Sequence, residues 1–318
     1  MWFCLIVIFF TWSLPSLAIE YSTARSIPMI ESQKNRILQE GGAQQLIIKD
    51  QHLWFTTPGK IWSWSIPHKT LHFQKISTSP IPTTSFHLYE DGFLATTPDN
   101  FLFIQRDPFG VFSLPEKNET LGIQMINKDL WWVRSNGASK IHTSNRSIQD
   151  KHHFDGIEPD DKFIFQTHPS LGLWLARKQQ IFYMEKNGSQ VRYRKIRETQ
   201  HSILHLGKDQ ESVYAVTKDK ILRFEKNGEF IQEIPIRGPQ SILAASFQPN
   251  RHVYLFSSRV VEMYDLPTQS VLRYRLPIKS AKSLNNFQSE ATYIAMILDR
   301  VPMLFQVEQP ESKARASL

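Results

Sequence analysis

Short apolar runs separated by polar turns recur along most of this chain. The stretch LWLARKQQIFYMEKNG, Leu173–Gly188, shows the form: an apolar run, a polar turn, an alternating run, then Asn-Gly. Alternation with period two marks a half-buried strand. Asn-Gly marks a tight hairpin, because both central residues of a type I′ turn need positive φ. The stretch therefore predicts one hairpin that feeds a further turn.

The pattern is a repeat. Steps of 40 residues from Ile181 reach Ile61, Phe101, Ile141, Ile221, Val261 and Val301, all large and apolar. Three residues further on lie Trp64, Ile104, Ser144, Met184, Phe224, Tyr264 and Leu304, of which only Ser144 is polar. The run before each turn begins near Trp54, Leu94, Trp131, Trp174, Tyr214, Tyr254 and Tyr293, and EKNG occurs at Glu185–Gly188 and again at Glu225–Gly228. An earlier and a later strand-like run, such as SILHLG and FIQEIPI, complete each unit.

Four short antiparallel strands per unit, seven times over, predict an all-β, seven-bladed β-propeller. A lone blade cannot cover both of its faces; a closed ring covers them and removes the long exposed edges. The predicted blades span residues 45–76, 84–115, 122–156, 161–197, 202–237, 241–278 and 283–309. Ile19–Ile30 resembles the outer-strand run SVLRYRLPI at Ser270–Ile278, so it is predicted to complete the last blade as its outer strand. Residues 31–44 then cross to the first blade, and no separate domain is expected. The recurring Trp and Tyr residues are read as packing between blades rather than as a ligand-stacking ladder.

The start of the chain departs from the pattern. MWFCLIVIFFTWSLPSLA, residues 1–18, carries no charged side chain and is broken by Pro15, with small residues at Ser16 and Ala18. This predicts a secretory signal peptide cleaved near Ala18, the alternative being an uncleaved membrane anchor. The expected location is secreted or periplasmic. The single cysteine, Cys4, lies in that segment, so the remaining chain offers no thiolate, disulfide or cysteine metal site. Hydrophobic residues make up 41% of the chain, enough for a large core. The formal net charge of +7 permits attraction to anionic surfaces such as phospholipid head groups, lipopolysaccharide or nucleic acid, and selects none of them.

Three stretches carry a family resemblance. HLWFTTPGKIWSW (His52–Trp64), DLWWVRSNGASKI (Asp129–Ile141) and GLWLARKQQIFYMEKNG (Gly172–Gly188) resemble the repeats of two-component-regulator sensor propellers and of streptogramin-lyase-type propellers. The first resemblance implies a sensory ectodomain, the second a metal-assisted active site on one face of the ring. No stretch matches such a site residue by residue, and glycine is scarce, at 13 residues.

Candidate sites are few. KHHFDGIEPDD (Lys151–Asp161), expected to connect the third and fourth units, holds His152, His153, Asp155, Glu158, Asp160 and Asp161 as weak metal-ligand candidates. Its spacing matches no metal motif, and a solvated loop is the alternative. His201 and His205 share parity on a predicted inner strand and would line the channel, or serve as structural histidines. Arg192, Arg194, Lys195 and Arg197, with Arg273 and Arg275, fall on predicted outer strands. There they would guard an edge against pairing or form a rim for an anionic partner. Nucleic-acid binding is not expected of an exported chain. G-x-S-x-G, P-loop and G-x-G-x-x-G motifs are absent.

The expectation is an exported, non-catalytic binding scaffold without cofactor. Its partner would be a protein or an anionic envelope polymer, with membrane contact only through an uncleaved N-terminus. The alternatives are a metal-assisted lyase or lactonase-type enzyme and a sensor-like subunit.

Overall fold

The structure is a computed structural model. It describes residues 22–307 except 90–91, 99, 107, 116–119, 127–128, 135–136, 143–146, 154–163, 169–171, 188–189, 226–227, 237–240, 250–251 and 279–282.

Seven antiparallel sheets follow one another along the chain. Their inner strands are Leu46–Lys49, Ser85–Tyr89, Thr120–Ile126, Ile164–His168, His205–Lys208, Ala244–Phe247 and Leu284–Glu290, for blades one to seven. Each inner strand touches the next, and that of blade seven touches that of blade one. The chain is a seven-bladed β-propeller.

The forty-residue periodicity is the spacing of blade interfaces. Ile61, Phe101, Ile141, Ile181, Ile221 and Val261 are all buried, as are Trp174, Tyr214 and Tyr254. Between blades four and five, Trp174 packs with Ile181 against Leu206, Val213 and Phe224, its ring centroid 5.4 Å from that of Phe224. Burying a side chain such as Phe224 contributes roughly 1.5–3 kcal/mol. Truncating it to Ala would cost about 3–5 kcal/mol, because the rigid sheets on either side cannot collapse into the gap.

Closure uses the N-terminal segment as expected, with an addition. Arg25–Ile27 pairs antiparallel with Gln306–Leu304 and forms the outer strand of blade seven. Just before it, Ser22–Thr23 pairs parallel with Tyr274–Arg275 and adds a fifth strand to blade six. Ala24, between the two, is buried among residues of both blades. The same few residues therefore strap two blades together, which the outer-strand resemblance did not foretell.

The crossing to blade one contains a helix, Glu31–Gln39. Its sequence is mostly polar, and Ile37 is its one buried residue, packed with Trp62 and Trp64 of blade one and Leu304 of blade seven. The helix ends at two glycines of positive φ, with Gly42 N–H donating to Ile37 C=O at 2.9 Å and Gly41 N–H to Leu38 C=O at 3.1 Å. Arg36 lies over the rings of Trp62 and Phe73, and Lys60 pairs with Glu40. One short, mostly polar helix, anchored by Ile37, thus seals the joint between last and first blades.

Candidate functional site

The inner strands begin at one face of the ring, where the chain enters from the helix and from the preceding blades. At that end a cavity of about 600 Å³ opens between blades seven, one and two. Its lining includes Gln44, Gln45, Thr83, Asn285, Asn286 and Arg300.

Local sequence explains how these side chains are aimed. Gly42 has φ +78°, and a Cβ there would lie 2.5 Å from the Cβ of Arg300. That close approach lets Ala43 N–H bond to Arg300 C=O at 2.7 Å, docking the blade-seven hairpin against the start of blade one. Asp299 and Arg300 form this hairpin's two-residue turn, both at positive φ. Asp299 Oδ1 also accepts from Ser283 N–H at 2.9 Å. Asn286 sits at positive φ in a bulge of the inner strand of blade seven. Bulges re-aim side chains, and Asn tolerates the left-handed conformation.

The result is a chain of amides across three blades. Asn286 Nδ2 donates to Gln45 Oε1 at 2.9 Å, and Gln45 Nε2 donates to Thr84 C=O at 3.1 Å. Gln44 Oε1 accepts from Thr83 N–H at 2.7 Å. These bonds hold the mouth's donors and acceptors in place before any ligand arrives. Such a lining hydrogen-bonds to neutral polar groups, and Arg300 adds a cation at its edge. Among the described residues, no three His, Cys, Asp or Glu side chains gather as a metal site would require.

Deeper in the channel stands His87, on the inner strand of blade two. Enclosure by the ring and, secondarily, the charge of Lys208 push it down to about 4. His205, on the inner strand of blade five, is also pushed by burial to about 4. Both imidazoles are neutral at neutral pH.

The sequence-derived candidates scatter around the ring. His205 is on the inner strand, but His201 is not: the strand starts at His205, and His201 Nε2 instead lies 3.8 Å from Asp219 of the same blade. The shared parity failed because the strand is shorter than its apolar pattern. His152 and His153 lie on the outer strand Ser147–His153 of blade three, opposite Ala138 and Gly137, rather than in a connecting loop. Asp155, Glu158, Asp160 and Asp161 lie outside the described residues.

The basic rim is largely spoken for. Arg192, Arg194, Lys195 and Arg197 are on the outer strand of blade four, and Arg273 and Arg275 on that of blade six. Yet Lys195 pairs with Glu198, Arg197 with Glu233 at 2.7 Å, and Arg273 with the buried Glu262 at 2.7 Å. Arg197 also lies 3.8 Å above the Phe230 ring. Sequence reasoning missed the mouth altogether. Its residues fall where the repeats disagree, which is the one signal that would have pointed to Gln44, Gln45 and Asn286.

Comparison with known proteins places the fold. No family model and no curated protein sequence match this chain. Solved structures do. Virginiamycin B lyase from Staphylococcus aureus is 15% identical with a TM-score of 0.69, covering 86% of this chain and 97% of the lyase. A catalytically inactive histidine-to-alanine variant of that lyase with quinupristin is 14% identical, TM-score 0.68, covering 84% of this chain and 95% of that one. The WD40 domain of Pan2 from Neurospora crassa is 10% identical, TM-score 0.66, covering 85% and 91%. At these identities the likeness is one of fold alone.

Proposed function

We propose that this chain is an exported, non-catalytic propeller that binds an extended segment of a protein partner at the mouth between blades seven, one and two. The observation that carries this reading is the pre-ordered row of amides from Asn286 through Gln45 to Thr84. Side-chain amides present a donor and an acceptor together, which matches the peptide group of an extended chain. A cavity built from them favours recognition over proton transfer, since amides do not titrate. The export half of the reading rests on the apolar, uncharged residues 1–18.

A photo-crosslinking amino acid placed at Asn285, which is exposed at the mouth, tests the binding site in the native host; the same group at His72, exposed on the outer strand of blade one, is the control. A discrete protein adduct from Asn285 and not from His72 is expected. Adducts from both positions, or from neither, would overturn the reading. Export is read separately, as a mature N-terminus at Ile19 in the envelope or medium fraction. Intact residues 1–18 on a cytoplasmic protein would refute that half.

A further inference from the structure

The mouth holds a cation and no acid to answer it. Arg300 is exposed in the turn of the blade-seven hairpin and lines the cavity together with Gln44, Asn285 and Asn286. Its Nε lies 3.3 Å from the place a Cβ on Gly42 would take, so the side chain runs beside the segment that carries Gln44. No acidic residue is among those that line the cavity. Two acids adjoin lining residues in sequence, and both are engaged. Glu40 pairs with Lys60, and Asp299 Oδ1 accepts from the N–H and the hydroxyl of Ser283 at 2.9 and 3.4 Å. Among the described residues no carboxylate pairs with Arg300.

The amides beside it have a fixed polarity. Thr83 N–H can only donate, so Gln44 must present Oε1 to it, at 2.7 Å. Both Nε2 hydrogens of Gln44 are thereby left free among the described residues. Thr84 C=O can only accept, so Gln45 presents Nε2 to it and Oε1 to Asn286. Asn286 answers with Nδ2 and keeps Oδ1 free. One cavity therefore offers an ordered donor at Gln44, an ordered acceptor at Asn286 and an unpaired guanidinium at Arg300. A peptide group uses the first two. An anion uses the third, and a carboxylate matches the guanidinium fork with two parallel N–H···O bonds.

We propose that the segment bound at the mouth carries a carboxylate, seated on Arg300 beside the Gln44 amide. The inference rests on the reading of the mouth as a peptide site and adds the chemistry of the partner. The carboxylate belongs to a free chain terminus or to an acidic side chain. Arg300 supplies charge and direction, and Gln44 Nε2 donates to the carboxylate or to the carbonyl next to it.

An array of short peptides of varied sequence tests this. Each sequence is made with a free terminal carboxylate, as the terminal amide, and as the amide with one internal glutamate or glutamine. Fluorescence anisotropy then reads the affinity of the peptides that bind. Carboxylate-bearing forms should bind at least tenfold tighter than their neutral counterparts, and the form that gains names the source of the carboxylate. Arg300→Gln should erase that preference while leaving the neutral forms bound as before. Gln44→Glu keeps an acceptor for Thr83 N–H but sets an anion where the free amide N–H groups stood. It should lose the carboxylate-bearing forms and melt no lower than the parent protein. Lys75→Met, which removes a cation from the exposed outer strand of blade one, should leave the preference intact. Binding of no peptide in any form would remove the peptide reading and this inference with it. Equal affinity for charged and neutral forms would leave the peptide reading standing and overturn this inference alone, as would a preference that survives Arg300→Gln.

Discussion

Asn286 of the last blade donates its side-chain N–H to the Gln45 side-chain oxygen of the first blade at 2.9 Å, across 241 positions of sequence. The bond depends on the left-handed backbone of Asn286, φ 56°, which swings the amide towards blade one. Asn286→Ala should lose about 1 kcal/mol for the bond. It should lose up to about a further 1 kcal/mol because Ala lacks the short polar side chain that makes positive φ tolerable for Asn. Asn286→Gly should lose only the first. Urea unfolding of the two variants distinguishes them, and equal losses would deny the backbone its role.

Two glycines should respond oppositely to Ala. Gly42 has positive φ, and an added Cβ would meet the Cβ of Arg300 at 2.5 Å. Gly42→Ala should destabilise by roughly 2 kcal/mol or more and disturb the mouth. Gly110, at the start of the outer strand of blade two, has nothing within 4 Å of such an atom. Gly110→Ala should be neutral, or stabilise by about 0.5 kcal/mol through the unfolded chain. Thermal unfolding read side by side checks the contrast.

The pair Arg273–Glu262 is the rim cation that the fold needs for itself. Glu262 is 6% exposed and also accepts a hydrogen bond from the Tyr264 hydroxyl at 3.0 Å. Arg273→Met strands this carboxylate and should cost about 3 kcal/mol. Adding Glu262→Met should restore most of the loss, because an apolar pair of similar volume carries no desolvation penalty. Equilibrium denaturation of the single and double variants would show the non-additivity, and additive losses would contradict it.

The N-terminal strap should control the opening of the ring. Ala24 is 1% exposed between blades six and seven. Ala24→Asp would bury an unpaired charge there and should cost several kcal/mol. Hydrogen exchange should accelerate first in blades six and seven, with blade two retaining its protection. Uniform acceleration around the ring would mean that closure does not depend on this segment.

Acid should weaken the protein through its channel. His87 and His205 both titrate near 4 in the folded chain, below the ordinary value of 6.5. The unfolded chain therefore binds more protons between these limits. Stability is complete above about pH 6.5 and falls as pH drops towards 4, by up to roughly 1 kcal/mol per unit for each group. His87→Phe should flatten part of that slope, as read from melting temperature against pH. An unchanged slope would place His87 outside the enclosed channel.

The repeat was legible because it is a packing rule. Each blade must cover two faces with the same kind of residue at the same place, so Ile61, Ile181 and Val261 share both position and fate. The need for an outer strand in the last blade was legible too, from the likeness of residues 19–30 to an outer strand. Other features left no local mark. Ser22–Thr23 reaches blade six because Ala24 is small enough to sink between two sheets. The helix over residues 31–39 has a single buried side chain, too little for an amphipathic pattern to announce it.

The sequence by itself determined the architecture, since β-period alternation repeated every forty residues has few closed solutions. The tertiary structure alone decided the chemistry. Arg197 and Arg273 became half of ion pairs, His201 left the channel for Asp219, and Gln45 met Asn286 from the other end of the chain. Packing periodicity is written locally in side-chain type. The meeting of polar groups across a ring is set by closure, which no local stretch encodes.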